Sequence, residues 1–250
     1  MLKALLWDVD GTLAETERDG HLVAFNQAFE ALDVPWRWGQ LRYGELLAIA
    51  GGRERLLYDM QYQARAPSKP EGRRVLAKRI HELKNSLYGA IAARGELPLR
   101  EGVAELFADC ANVGVSMGIV TTTSRVNAAA LAAAHWGSTW ASLFSTVIAA
   151  DEAPKKKPDP QAYLIALKAL RLQADEVIAI EDSPAGVAAA RAAGIAVIVA
   201  RSYYFSTAKV HGAMAVGPSL GRSDGWNPIA EAGAGRIDLG QIIRWYSART

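Results

Sequence analysis

The stretch Ala4-Leu5-Leu6-Trp7-Asp8-Val9-Asp10-Gly11-Thr12 runs four apolar residues directly into two carboxylates and a glycine. An apolar run this short, ended by polar residues, fits a buried strand better than a buried helix. In open parallel sheets ligands sit beyond the carboxyl ends of strands, so Asp8 and Asp10 fall where chemistry is expected. Two carboxylates leaving one strand end repel each other unless a cation joins them. A hard cation such as Mg²⁺ takes oxygen ligands and would fill that role. A solvated Asp-Gly turn is the alternative, and this segment alone does not separate the two.

Working outward, similar apolar runs recur at 115–120, 147–150, 177–180 and 196–200. Between them lie amphipathic stretches of helix length at 102–112, 126–135, 160–170 and 184–193. Strand alternating with helix predicts an α/β fold, a Rossmann-like doubly wound parallel sheet core. Residues 15–94 break the rhythm. They carry helical patterns (Leu22, Phe25, Phe29; Val75, Ile80, Leu83, Leu87) and no convincing strand. The organisation expected is a core domain from 1–15 and 95–250 with an inserted α-helical cap domain at 16–94. Pro67-Ser68-Lys69-Pro70 reads as a loop within the cap, and Gly95-Glu96-Leu97-Pro98 as the return linker. Trp36-Arg37-Trp38 is either cap core or a partner surface. Toward the end, 221–225 reads as a loop and 239–246 as a helix.

Composition narrows the function class. Half of the 250 residues are hydrophobic and 22% are charged, which is ordinary for a globular chain. With 28 basic and 26 acidic residues the net charge is +2, so nothing suggests a nucleic-acid or membrane surface. The one cysteine, Cys110, excludes an intrachain disulfide and a cysteine-based zinc site. It shares helical spacing with Val103, Leu106 and Phe107 and reads as a small buried hydrophobe. There is no signal-peptide pattern and no apolar run of membrane-spanning length. A cytoplasmic monomer acting on a small molecule is expected.

Three later segments adjoin predicted strand ends. Thr121-Thr122-Thr123-Ser124 offers hydroxyls and free amides at a helix start, which suits a phosphate or simple N-capping. Lys155-Lys156-Lys157-Pro158-Asp159-Pro160 offers a cation on a segment stiffened by prolines, although a lysine run is usually solvated. Glu181-Asp182-Ser183-Pro184 brings a second acidic pair and also reads as a helix cap with proline in the first turn.

In this order, Asp8-Val9-Asp10-Gly11-Thr12, Thr121, Lys157 and Glu181-Asp182 resemble the four signature motifs of the haloacid dehalogenase-like phosphotransferase superfamily. The resemblance spans residues 8–182, and the helical insert is similar to that family's cap. It implies that Asp8 attacks phosphorus and carries an aspartyl-phosphate. Asp10 would protonate the leaving oxygen and then activate water, which asks for a raised pKa. The resemblance further implies Mg²⁺ on the Asp8 carboxylate, the Asp10 carbonyl and Asp182, with Glu181 in an outer position. Thr121 and the Thr122 amide would hold the phosphoryl oxygens, Lys157 would balance charge, and Thr12 would support the loop.

Glu15-Thr16-Glu17, Tyr43 and Gly51-Gly52-Arg53-Glu54-Arg55 add a narrower resemblance, to the CbbY-like sugar-bisphosphate phosphatases. That branch removes the 1-phosphate of xylulose-1,5-bisphosphate. The resemblance implies substrate contacts at Glu17, Tyr43, Gly51, Gly52 and Arg53, the glycines permitting close approach and the arginine pairing with a second phosphate. Position 53 is Arg where Lys is expected, which keeps charge but changes geometry. Tyr43 could equally pack within the cap, and Arg53 and Arg55 could form an exposed, salt-bridged helix start. His21 falls where relatives carry a cap histidine, but Arg18-Asp19-Gly20 makes the spacing one residue too long, so no role is assigned to it. A β-phosphoglucomutase-like mutase and a phosphatase for a small monophosphate are the rival activities.

Overall fold

Side chains alternate along each strand, and both faces of the resulting sheet are covered. The computed structural model describes residues 1–231 and 235–248. Six strands form the sheet: β1 (Ala4–Trp7), β2 (Ser116–Val120), β3 (Thr146–Ile148), β4 (Val177–Glu181), β5 (Ala196–Ala200) and β6 (Ala215–Gly217). Their order is β3-β2-β1-β4-β5-β6, and every neighbouring pair is parallel. Leu5 and Trp7 join Ile119, Ile178 and Ile198 on one face. Ala4 and Leu6 join Val120, Ala179 and Val197 on the other. Burial on two faces explains why these strands read as continuous apolar runs.

The helical block leaves the sheet after β1. It contains α1 (Leu22–Ala31), α2 (Gln40–Leu46), α3 (Gly52–Asp59) and α4 (Pro70–Ala93). These helices bury a core of their own around Phe25, Phe29, Trp38, Tyr43, Leu56 and Ile80. The Trp38 ring lies 4.8 Å from Phe25 and 5.0 Å from Phe29, and each such aromatic pair adds about 0.5–1.5 kcal/mol beyond its buried area. Trp36 and Trp38 are both buried here, which settles that segment as core of the block.

Along the sheet, α5 (Val103–Val113) and α6 (Arg125–Trp136) cover the Leu5 face, while α7 (Gln161–Leu170) and α8 (Pro184–Ala192) cover the Leu6 face. The final helix α9 (Leu239–Ser247) adds Leu239, Ile242 and Trp245 to the first face. Cys110 is fully buried on α5, and burial pushes its thiol up to about 12, so it is an inert hydrophobe.

Two expectations need correction. The third strand stops at Ile148, because the chain turns there and Ala150 N–H bonds Thr123 C=O at 2.9 Å. The pattern also missed β6, a three-residue strand held between β5 and a bridge from Asn227. What matters for chemistry is that β1 lies between β2 and β4. Their carboxyl ends therefore place Asp8, Thr121 and Asp182 together.

Candidate active site

At the end of β1 the chain must turn sharply while still touching its neighbour. Gly11 does so with φ +85°, and a Cβ there would fall 2.2 Å from Asp182 Oδ2. Only glycine fits that approach. The turn brings Asp8 against the end of β4, where Asp8, Glu181 and Asp182 offer oxygens within 4.8 Å of one another. All three are buried.

Lys157 enters from the loop after β3 and is buried among them. Its Nζ donates to Asp8 Oδ1 at 2.7 Å, Glu181 Oε1 at 2.7 Å and Val120 C=O at 2.8 Å. Tyr163 of α7 donates to the same Glu181 oxygen at 2.6 Å. Ser202 donates to Asp182 Oδ2 at 2.6 Å. Burial is the largest single influence on Asp8, Asp182 and Lys157. It lifts the Asp8 carboxyl to about 8, with Glu181 and Asp10 adding to the rise and Lys157 opposing it. It lifts Asp182 well above the carboxylate range, reinforced by Asp8 and Glu181. For Lys157 burial would favour the neutral amine, but Asp8 and Glu181 outweigh it and hold the ammonium charged.

These carboxylates fit a hard cation. Lys157 pairs with two of the three buried acids, Asp8 and Glu181, and Glu181 Oε2 is buried with no hydrogen-bond partner among the described residues. Glu181 Oε1 is already taken by Lys157 and Tyr163, which leaves Asp8 and Asp182 as the freer donors.

Asp10 stands apart from that cluster. Its Oδ1 accepts from Thr16 Oγ1 at 2.6 Å and lies 3.0 Å from His21 Nε2. His21 reaches it because residues Glu17–His21 form a π turn, which absorbs the extra residue that made the spacing look wrong. The histidine is buried and stacks on Tyr88 of α4 with centroids 4.2 Å apart. Asp10 also departs from expectation in its acidity. Burial would raise it, but His21, the hydrogen bonds from His21 and Thr16, and Lys84 together bring it down to about 2. At neutral pH Asp10 is therefore an ionised carboxylate.

A cleft of about 300 Å³ opens between the helical block and the sheet, lined by Asp10, Glu17, His21, Thr122, Thr123 and Ser124 among others. Ser124 both faces the cleft and caps α6, accepting from Asn127 N–H at 3.4 Å. Thr121 lies beneath, buried, with its Oγ1 accepting from the Thr123 amide at 3.1 Å. Thr12 is also buried, under the first loop.

The cap-side expectations divide. Glu17, Gly51, Gly52 and Arg53 line the cleft, with Arg53 exposed at its mouth. Tyr43 does not line it. Tyr43 is fully buried among Phe25, Trp38 and Tyr204 and donates its hydroxyl to Glu17 Oε2. Arg55 lies deeper than Arg53, with its Nη1 3.2 Å from Glu17 Oε1 and its Nε bonding Ile49 C=O at 2.9 Å. Sequence reasoning missed His81, Lys84 and Asn85 of α4 and Asn127 of α6, which also line the cleft. His81, Lys84 and Asn85 lie between the apolar positions Ile80, Leu83 and Leu87 of α4, Asn127 lies in the first turn of α6, and no motif marks them. Asn127 Nδ2 donates to Asn85 Oδ1 at 3.1 Å, joining α6 to α4.

Comparison with known proteins agrees with this geometry. The family model of haloacid dehalogenase-like hydrolases matches residues 2–194. The plasmid-encoded protein CbbY of Cupriavidus necator is 38% identical over 249 residues, covering 98% of this chain and 97% of that one. The crystal structure of CbbY from Rhodobacter sphaeroides in complex with phosphate superposes with a TM-score of 0.83 at 35% identity, over 97% of this chain and 100% of that one. The D10N mutant of that protein, in complex with xylulose-(1,5)bisphosphate, gives 0.82 at 35% identity, over 96% and 99%. Four motifs at one end of a parallel sheet, a helical insert over them, and likeness along almost the whole chain agree, and the chain belongs to the haloacid dehalogenase-like hydrolases.

Proposed function

We propose that this chain is a Mg²⁺-dependent phosphatase that removes one phosphate from a sugar bisphosphate, with xylulose-1,5-bisphosphate as the leading substrate. The observation that supports it is a single cleft with two unlike ends. Asp10 and Thr122 line one part of it, and Gly51, Gly52 and the exposed Arg53, which makes no ion pair among the described residues, line another. A substrate with an anionic group at each end matches both. The likeness to a relative solved with xylulose-(1,5)bisphosphate supports the choice of sugar.

In this reading Asp8 attacks phosphorus, the bond to the leaving oxygen breaks, and an aspartyl-phosphate forms on Asp8. Lys157 restrains the Asp8 carboxylate and offsets charge on the phosphoryl oxygens. Thr121 and the Thr122 amide hold those oxygens at the start of α6. Mg²⁺, held by Asp8, Asp182 and the Asp10 carbonyl with Glu181 behind them, would supply Lewis-acid stabilisation of the phosphoryl charge. Asp10 is held ionised by His21, Thr16 and Lys84, so it must take up a proton as substrate binds. The phosphate dianion beside it favours that uptake. Asp10 then protonates the leaving oxygen and accepts a proton from the water that cleaves the intermediate. His21 and Thr16 hold Asp10 in place for both steps. We also propose that residues 16–94 act as a cap domain over a core formed by 1–15 and 95–250, and that the protein works in the cytoplasm as a monomer.

The test is phosphate release with Mg²⁺ on xylulose-1,5-bisphosphate, ribulose-1,5-bisphosphate, fructose-1,6-bisphosphate, β-glucose-1-phosphate and phosphoglycolate. An advantage in kcat/KM of about a hundredfold for xylulose-1,5-bisphosphate, roughly 2.7 kcal/mol of transition-state discrimination, is expected. A flat profile would overturn the substrate. Conversion of β-glucose-1-phosphate without free phosphate would make the protein a mutase.

A further inference from the structure

Glu54 has no task in the mechanism above, yet it occupies the mouth of the same cleft. It lies in the first turn of α3, and its Oε2 is 3.1 Å from Lys156 Nζ. Lys156 belongs to the loop that carries Lys157, so this ion pair joins the sheet side of the cleft to the helical block. Both charged ends rest on the bare face of Gly51. A Cβ there, where φ is +103°, would fall 2.1 Å from Glu54 Oε2 and 2.1 Å from Lys156 Nζ. Arg53 lines the same mouth, exposed, and makes no hydrogen bond or ion pair among the described residues. Burial would raise the Glu54 carboxyl, but its own amide, Lys156 and Arg53 pull it below its ordinary value, so it is a carboxylate. His81 also lines the mouth, but burial and the neighbouring Lys84 bring its imidazole down to about 4, so at neutral pH it adds no charge. Lys156 and Arg53 therefore both act on the Glu54 carboxylate.

We propose that Glu54 is a built-in counter-anion for the second phosphate, holding Lys156 when the cleft is empty and giving it up when a second dianionic group arrives. The inference rests on the bisphosphate reading above and adds how that end of the cleft selects its ligand. A dianion interacts with Lys156 and Arg53 more strongly than one partly exposed carboxylate does. A hydroxyl or a monoanion does not displace Glu54 and meets an ion pair already made. The second phosphate therefore binds net of the ion pair it replaces, whereas substrates lacking that phosphate leave Glu54 on Lys156 and neither gain nor lose by it.

Titration calorimetry in an Asp8→Asn background, where turnover is blocked, tests this with xylulose-1,5-bisphosphate and its 1-monophosphate. Glu54→Gln removes the competitor while keeping shape. It is expected to tighten the bisphosphate about fivefold and to move the monophosphate less than twofold, so the ratio of the two Kd values widens. An unchanged or narrowed ratio overturns the counter-anion role. Arg53→Gln serves as the second arm and is expected to weaken the bisphosphate about tenfold with little effect on the monophosphate. If Arg53→Gln behaves so and Glu54→Gln does not widen the ratio, only the role of Glu54 falls. If the parent binds both ligands equally and Arg53→Gln changes neither, the bisphosphate reading falls and takes the counter-anion with it.

Discussion

Lys156 and Lys157 are neighbours in the chain, yet one lies a quarter exposed against Glu54 and the other is buried against Asp8 and Glu181. The pairs are chemically alike. Their surroundings make them unequal, because charge interactions that water screens at the mouth of the cleft act nearly unscreened at its base. The buried group is suited to chemistry, where a fixed field must act on developing charge. The exposed group is suited to selection, where a contact must be exchanged easily. The same split runs through the arginines: Arg55 is paired with Glu17 inside the cleft, and Arg53 is exposed at the mouth with no ion pair among the described residues.

The largest effect should come from the base of the cleft. Asp8→Asn is expected to abolish turnover while the fold persists, seen as loss of phosphate release with an unchanged far-ultraviolet circular dichroism spectrum. Retained activity would remove Asp8 as the nucleophile. Next, the lysines can be compared directly. Lys157→Met strands Asp8 and Glu181 as buried anions and should cost about 3–5 kcal/mol by urea denaturation. Lys156→Met should cost under about 1 kcal/mol. Equal costs would mean that water screens the two pairs alike.

His21 lies between these extremes. His21→Gln should lower kcat about 10- to 100-fold with a smaller change in KM if Asp10, which His21 contacts, moves the proton as proposed. The smallest effect is a pH limb. Burial pulls the Lys84 ammonium down to about 8, although Glu17 and Asp10 resist this. Lys84 faces the cleft, so kcat/KM for an anionic substrate should fall as pH rises through about 8. Lys84→Arg keeps the charge and should shift that limb upward. Stability runs the other way. With the folded pKa below the unfolded value of 10.5, the unfolded chain binds more protons between the two, so the Lys84 contribution to stability grows as pH rises through that window.

Much of this was legible before any coordinates. Strand and helix limits fall within about two residues of those read from the apolar pattern, because burial on two faces imposes long apolar runs. Asp8, Asp10, Lys157 and Asp182 were legible because each follows a strand end, where position and residue type agree. The helical block was harder, since its contribution depends on which face of a helix looks down. Lys84 and Asn85 sit in a polar stripe that pattern alone assigns to solvent. Tyr43 and Arg53 lie close in sequence to groups that do different work, and only packing shows that Tyr43 backs Glu17 from inside. His21 was hidden by its register. Spacing arguments assume an α-helical pitch, and the π turn does not keep it.

The central place of β1 has a consequence for how the protein is made. The two strands that flank it begin about 110 and about 170 residues later in the chain. On a ribosome adding some 5–20 residues per second, β1 therefore waits several seconds for either neighbour. Through that interval the helical block, with an aromatic core of its own, already has what it needs to collapse. Asp8 emerges among the first residues synthesised, yet the cluster it forms with Glu181 and Asp182 exists only once β4 has been made.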